Sequence, residues 1–425
     1  MLLILFGVFF LAMLINIPIA FCVGLGVLGA MVFTTNLPLS VIPLKMYSMM
    51  NSFPLLAIPL YIMAGSIMNK SGITIRLINL AKVMIGFAKG GLGMAAVLAS
   101  MFFGGVSGSS LADTAAIGSV VLPEMKKEGY DENFSAGLIA SAGTLGGIIP
   151  PSISMVLYGV VSGTSIAKLF LAGAVPGILL GIFFMFVTYV FARKNKYPVG
   201  PKPNLRKAAK AIFKALLPLG MPVIIIGGIY GGIFTATEAG IIALIYALIL
   251  GVFIYRTIKL KDIVKAIIDT VETSSIPCLI IAFSGSFAFI NSYAEIPRTV
   301  STFIYSITSS KIVIMLLINL MLLIIGMFMD GAAVYPIIVP IFLPILIQMG
   351  ISPLHFGVII VLNLSIGLIT PPVGGTLYTA CAISGLQPLA VARKAVPFIV
   401  VALLVLMAAT FIPWVSEFLP SLMSR

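Results

Sequence analysis

Apolar runs of roughly 15–25 residues alternate with short polar segments along the whole chain. That pattern predicts an all-α polytopic membrane protein. A membrane β-barrel would show shorter segments of alternating hydrophobicity. Most runs read as simple crossings: 1–15 and 18–34 on either side of Asn16-Ile17-Pro18, then about 53–68, 170–192, 215–233, 238–255, 273–290 and 396–413. Between the second and third lies a polar interval with Lys45. The stretches near 69–85 and 256–272 read as amphipathic arms.

Four runs are interrupted. Within 134–161 the segment SAGTLGGIIPPSISM places Gly143, Gly146, Gly147, Pro150 and Pro151 at membrane depth. Within 356–382, SIGLITPPVGGT repeats that chemistry. Glycine and proline break helices, and lipid cannot satisfy the freed backbone groups. Two further runs fold back as re-entrant hairpins. One spans 90–125 with a tip at 104–110, GGVSGSS, and the other spans 311–348 with a tip at 328–332, MFMDG.

The two proline pairs are 371 − 150 = 221 residues apart, and that offset divides the chain. Residues 1–192 form a first repeat, 193–214 a basic loop and 215–425 a second repeat. Five crossings per half is an odd number, so the second half is inverted relative to the first. Gly/Pro-interrupted spans in matching positions of inverted halves point to the binding site of a secondary transporter.

Composition narrows the class. The chain is 60% hydrophobic and 9% charged over 425 residues, with a net charge of +13 and mean hydropathy +1.21. The excess charge reads as topogenic, not as a nucleic-acid surface. All but five of the 25 Lys and Arg fall in loops that the crossing pattern puts on one side, the exceptions being Lys45, Lys168, Arg298, Lys311 and Arg425. The positive-inside rule makes that side cytoplasmic and both termini periplasmic. Cys22, Cys278 and Cys381 stand apart in apolar runs and read as packed thiols. The N-terminus lacks a basic leader region and reads as the first span.

The candidate chemistry is that of ion and anion binding. Na⁺ is a hard cation, and unwound carbonyls with short hydroxyl side chains suit it. The first set is Ser107, Gly108, Ser109 and Ser110 facing Thr144, Gly147 and Ile149, and the second is Gly326, Met329, Asp330 and Gly331 facing Gly367 and Thr370. The same glycines and serines also suit plain close packing. Broken half-helices aim N–H groups into such a site and favour an anion, carboxylates foremost. Ser152, Ser154 and Ser165 are candidate hydroxyl contacts, and Arg298 a candidate partner for a carboxylate or a docking protein. Asp330 and Asp113 suit cation binding or helix capping, and Glu238 a helix start.

An enzyme is not indicated. Gly105-Val-Ser107-Gly108 matches the GxSG of intramembrane serine proteases. The crossing pattern, however, separates Ser107 from His355, the chain's single histidine, and such a pair needs hydrogen-bond reach. Neither HExxH nor a Walker A motif is present.

The ordered motifs GGVSGSSLADTAAIGSVVLPEM, GTLGGIIPPS, DGAAVYPIIVPIFLPI, HFG and GLITPPVGGTLY resemble the large membrane subunit of tripartite ATP-independent periplasmic (TRAP) transporters over essentially the whole chain. The resemblance implies a bacterial inner-membrane importer of organic anions, Na⁺-coupled and of the elevator type, without another cofactor. It implies a small four-helix membrane subunit, here on a separate chain, and a periplasmic substrate-binding protein. By resemblance a first Na⁺ site falls on Ser107, Ser109, Gly143, Thr144, Gly147 and Pro150, and a second on Gly326, Met329, Asp330, Gly367 and Thr370. Sialic acid is the favoured substrate and C4-dicarboxylates come next. A self-sufficient symporter of related fold is the competing reading.

Overall fold

The computed structural model describes residues 1–201 and 204–423, so Lys202 and Arg425, two of the chain's basic residues, lie outside the described residues. The described residues form helices throughout, with one isolated bridge between Lys89 and Val199. In chain order they are α1 (Leu2–Leu14), α2 (Ile19–Thr34), α3 (Val41–Met50), α4 (Ala57–Lys70), α5 (Ile73–Ile85), α6 (Gly91–Ser107), α7 (Ser110–Lys127), α8 (Glu132–Gly143), α9 (Ile153–Ser162) and α10 (Ile166–Lys194). The second half holds α11 (Leu205–Tyr230), α12 (Ala236–Leu248), α13 (Leu260–Tyr293), α14 (Ile296–Ile307), α15 (Lys311–Gly326), α16 (Gly331–Gln348), α17 (Pro353–Gly367), α18 (Gly375–Ser384), α19 (Pro388–Phe411) and α20 (Trp414–Leu422).

Seven helical stretches among the described residues are long and apolar enough to cross a membrane, or eight if the bent pair α14–α15 counts as one. Their outward faces are apolar, as lipid demands. Phe213 and Phe253, for example, are 74% and 71% exposed.

The helices pack as two groups. α1–α5 and α11–α14 contact one another, and α6–α10 and α15–α20 form the other group. The meeting line runs through α4 against α6 and α9, α5 against α6, and α13 and α14 against α16. Within the second group α8 and α17 are central. Every residue of Phe134–Gly143 and of His355–Gly367 is buried. A helix buried all round must be apolar or small on every face or have its polar groups bonded, and in α17 His355 and the Asn363 amide nitrogen are bonded.

The 221-residue offset recurs in the elements. α7 and α16 begin 331 − 110 = 221 residues apart, and both run for 18 residues. Their partners α6 and α15 complete hairpins, and α8–α9 and α17–α18 are the two broken spans.

Several elements differ from the sequence reading. The arm 256–272 and the span 273–290 are one helix, α13, because Pro277 sits in it without ending it. The polar interval holds α3, none of whose residues is buried. Ahead of the second hairpin, α14 is a separate amphipathic helix rather than part of an apolar arm. The basic loop is shorter than expected, since α11 starts at Leu205 with Asn204 Oδ1 accepting from the Arg206 N–H. Past the last span, α20 lies beyond Pro413.

One contact ties the halves together at the basic end. Asp131 caps α8 by accepting from the Phe134 N–H at 2.8 Å, and Lys394 of α19 donates to its other oxygen at 3.0 Å. Burial pushes the Asp131 carboxyl up, but these donors outweigh it and hold the group below its ordinary range. A lowered carboxyl stabilises the fold above its unfolded value and ceases to do so as pH falls through the lowered one. Asp131→Asn keeps an amide oxygen to cap α8 but loses the ion pair with Lys394, so it is expected to melt below the parent at about pH 7, by up to about 1 kcal/mol, and to approach it only at about pH 2, as pH falls through the lowered value. Melting curves at the two pH values check this, and an equal deficit at both would contradict it.

Candidate functional site

Both breaks are closed by a hairpin tip. In the first, α8 passes into a 3₁₀ turn at Thr144–Gly147, then a cis Pro150-Pro151 bond, then α9. The α9 start is satisfied from outside its own chain segment, with Ile153 N–H donating to Gly108 C=O at 3.0 Å. Ser152 Oγ donates to Gly147 C=O at 2.5 Å and accepts from Met155 N–H at 3.2 Å, so one hydroxyl serves both sides of the break. Gly108 has φ +65°, and a methyl there would lie 2.6 Å from Pro151 C=O. Only glycine suits that turn.

In the second break the Pro371-Pro372 bond is also cis, and Val373 N–H donates to Met327 C=O at 3.1 Å. Here the backbones touch. A methyl on Gly367 would overlap the Gly326 carbonyl carbon and oxygen. The corresponding approach in the first break is Gly104 to Gly146, where a methyl on Gly104 would lie 2.9 Å from the facing Cα.

Between the two helix groups the tips open onto a cavity of about 460 Å³. Its wall on one side is α4 and α13, with Gly65, Ser66, Asn69, Asp269, Thr270 and Thr273. On the other side stand Ser107–Ala112, Ile153, Ser154, Asp330 and Ala332. Three helices therefore start at the cavity, α7, α9 and α16. Each has a side-chain cap: Ser109 Oγ accepts from Ala112 N–H at 3.4 Å, Ser152 caps α9, and Asp330 Oδ1 accepts from Gly331 N–H at 2.8 Å. Their uncapped N–H groups and positive dipole ends suit a negative group. Among the described residues, no lysine or arginine lines the cavity. Lys70 stands behind the wall, 3.6 Å from Asp269.

The sequence-proposed residues separate into three sets. Ser107, Ser109, Ser154 and Asp330 line the cavity. Gly143, Thr144, Gly147 and Pro150 are buried behind it in the first break. There Ser110 Oγ donates to Thr144 C=O at 3.5 Å, and Gly147 packs on Ser110. Gly326, Gly367 and Thr370 hold the second break, with Thr370 Oγ1 donating to Ile366 C=O at 2.9 Å, and Met329 packs at its tip. The third set lies away from the cavity. Ser152 is fully buried in its capping role. Ser165 caps α10 by accepting from Lys168 N–H, and Arg298 on α14 is bonded to Glu295 at 3.0 Å. Glu238 closes a capping box on α12 with Thr235. His355 is held by Ser416 Oγ at 2.6 Å and Thr410 C=O at 3.1 Å, not by Ser107.

Two features escaped the sequence. The polar residues of α4 and α13 lie in segments read as ordinary spans and arms. Asp113 suits a cap by position, yet Ser109 is the cap of α7. Asp113 is instead 0% exposed, and neither carboxylate oxygen has a hydrogen-bond partner among the described residues. Its nearest polar neighbour is Ser100, whose hydroxyl stands beside the carboxylate outside good hydrogen-bond geometry. A methyl on Gly146 would approach both Ser109 C=O and Asp113 Oδ2, at 3.0 and 3.1 Å. The signal available was an acid four residues after Ser109, on the same helix face.

The paired breaks and tips coincide with a known family. The model for the DctM component of tripartite ATP-independent periplasmic transporters matches residues 6–415. The chain belongs to this family. It is 41% identical over 400 residues to the C4-dicarboxylate TRAP transporter large permease protein DctM of Pseudomonas aeruginosa, covering 94% of each chain. It is 36% identical over 407 residues to the sialic acid large permease SiaM of Vibrio cholerae, covering 96% of this chain and 95% of that one. The isethionate permease DctMQ of Oleidesulfovibrio alaskensis is 38% identical over 416 residues, 98% of this chain but only 66% of that protein, so the chain spans about two thirds of it. Among solved structures, the Alcanivorax borkumensis YdaH transporter shares the fold at TM-score 0.65, with 14% identity over 89% of this chain and 90% of that one. As a TRAP large permease the chain is a multi-pass membrane transport protein and not an enzyme.

The contact of Gly367 with Gly326 leaves no room for a methyl group. Gly367→Ala is expected to cost roughly 1–3 kcal/mol by overpacking. Gly7, with nothing within 4 Å, is expected to accept alanine without loss. Thermal melts of the two purified variants check the pair.

Proposed function

We propose that this chain is the carrier subunit of a Na⁺-coupled importer of organic acids in the bacterial inner membrane, with its basic loops in the cytoplasm and both termini outside. One observation carries the reading. A cavity framed by three helix N-termini holds no basic side chain among the described residues, while a fully buried carboxylate beside it has no cation and no backbone donor among them, only the Ser100 hydroxyl as a neighbour. An unpaired buried carboxylate costs several kcal/mol, and a cation among its neighbours removes that cost.

The first Na⁺ belongs to Ser107, Ser109, Gly143, Thr144, Gly147 and Pro150, and Asp113 supplies the negative charge that this otherwise neutral set lacks. The second belongs to Gly326, Met329, Asp330, Gly367 and Thr370, where Asp330 brings its own charge. Bound cations then join the helix N-termini of α7, α9 and α16 in offsetting a carboxylate substrate, so neither ligand is well accommodated without the other. That mutual dependence is the physical basis of symport. Ser154 faces the substrate from the start of α9. Ser165 and Arg298 face outward in this reading, Arg298 towards a docking protein.

Because the cavity lies where the two helix groups meet, sliding one group along the other would carry it across the membrane, an elevator movement. The tripartite family name supports a small membrane subunit on a separate chain and a periplasmic binding protein that delivers substrate. The length of DctMQ, of which this chain spans 66%, leaves room in that protein for a further segment. Sialic acid and C4-dicarboxylates both remain candidate substrates, with relatives of each kind at 36% and 41% identity.

Proteoliposomes holding the chain and its small subunit test this. Uptake of the organic acid is expected to require both an inward Na⁺ gradient and the binding protein. Asp113→Asn and Asp330→Asn are each expected to raise the Na⁺ needed for half-maximal uptake roughly 10-fold or more, the weight of a lost charged partner. Uptake without the binding protein would favour a self-sufficient symporter, and uptake indifferent to Na⁺ would remove the proposal.

A further inference from the structure

A second large cavity lies on the basic side, at the seam where α5 of the first half meets α11 of the second. It is an open pocket of about 600 Å³ lined by Arg76, Lys82, Lys210 and Lys214, with Asn79, Ile75, Val83 and Ala211 between them. Among the described residues, no acid lines it. Lys82 is already paired with Glu124, at 2.5 Å. Lys210 and Lys214 make no ion pair among the described residues, and their four-residue spacing puts both on one face of α11. Arg76 is held in place rather than free. Its guanidinium stacks 3.6 Å from the Tyr255 ring centroid, and Nη1 donates to Ser71 and Gly72 C=O at 3.1 and 3.0 Å.

We propose that this cavity is a binding site for the phosphate headgroup of an anionic phospholipid. Topogenic lysines alone need only be solvated separately, whereas here three cations without an acid converge from two helices on one open pocket. A phosphate supplies the missing negative charge, and a fixed guanidinium is suited to it. The surroundings select a lipid rather than a free ion. Ile75 is 53% exposed beside the cavity, and Ile212 and Phe213, next to the lining lysines, are 51% and 74% exposed. Acyl chains would cover that apolar rim while the headgroup sits among the bases. Basic pockets between membrane helices take anionic headgroups on the same grounds. Such a lipid would bridge the two halves within the α1–α5/α11–α14 group, independently of what the other cavity carries.

Native mass spectrometry of the delipidated full-length chain tests it, titrated separately with cardiolipin, phosphatidylglycerol, phosphatidylcholine and inorganic phosphate. Cardiolipin and phosphatidylglycerol are expected to be retained in preference to phosphatidylcholine. Lys210→Gln/Lys214→Gln is expected to weaken that retention roughly 30-fold, for two charges at about 1 kcal/mol each. Arg76→Gln, on the opposite wall, is expected to weaken it about 5-fold or more. The control Lys127→Gln/Lys194→Gln, two exposed lysines outside the cavity, should change nothing. Equal retention of phosphatidylcholine, an equal loss in the control, or competition by millimolar phosphate that abolishes lipid retention would each overturn the proposal.

Discussion

Backbone groups freed inside a membrane must find partners within the protein, and this fold answers that demand by placing a hairpin tip against each broken helix. Ile153 N–H reaches Gly108 C=O, and Val373 N–H reaches Met327 C=O. Most of the architecture follows from these two docking events. The tips must be narrow, hence Gly108 with its positive φ, and the broken helices must let backbone meet backbone, hence Gly146 and Gly367. The first arms, α8 and α17, become the most enclosed elements of the molecule, because a tip, a second arm and neighbouring helices surround them. The remaining helices form a wall against which this centre packs, and the cavity forms at that boundary.

The two breaks share geometry but not chemistry. Ser109 and Asp330 stand 330 − 109 = 221 residues apart, and each caps the second arm of its hairpin. One is a neutral hydroxyl and the other a carboxylate. The first half recovers a carboxylate one helical turn later, in Asp113, which is sealed from solvent while Asp330 is not. Ser152 bridges the first break through its hydroxyl, whereas the equivalent position in the second is Val373, which offers only its backbone. Duplicated backbone constraints therefore survive in both halves while the side chains that set charge have diverged.

That division also explains what could be read in advance. Gly and Pro at membrane depth are punished unless something replaces the lost hydrogen bonds, so GTLGGIIPPS and GLITPPVGGT announce themselves in the letters. The hairpins follow from basic segments flanking GGVSGSS and from the same offset around MFMDG. The continuous α13 was not legible, because Pro277 lies among apolar and small residues where neighbouring helices support the backbone around it. Neither were α3 and α14, whose mixed composition is that of an interfacial helix or a loop alike. The cavity wall from α4 and α13 was hidden for a different reason. Asn69, Thr270 and Thr273 are ordinary residues, and only the packing of distant segments gives them a common face. Asp113 shows the limit most plainly, since position four after a cap suggests a helix start and only the packing shows a carboxylate sealed in with no cation beside it among the described residues.

Charge placement links these observations to the membrane. Acids facing the cavity are few, Asp330 at a helix start and Asp269 paired with Lys70, with Asp113 fully enclosed behind it, while most lysines and arginines are exposed towards the ends of helices. Among the described residues, the cavity between the helix groups accordingly has carboxylates and dipole ends but no basic side chain, and the cavity between α5 and α11 has the reverse. A site that must release its contents gains from neutral and dipolar contacts, because a buried lysine paired with a carboxylate ligand would hold it too firmly and would leave an unpaired charge on emptying. The cavity between α5 and α11 lies within one helix group, and the exposed Lys210 and Lys214 cost little where their heads reach water. The two cavities thus differ in charge as they differ in placement, one between the helix groups and the other within one of them.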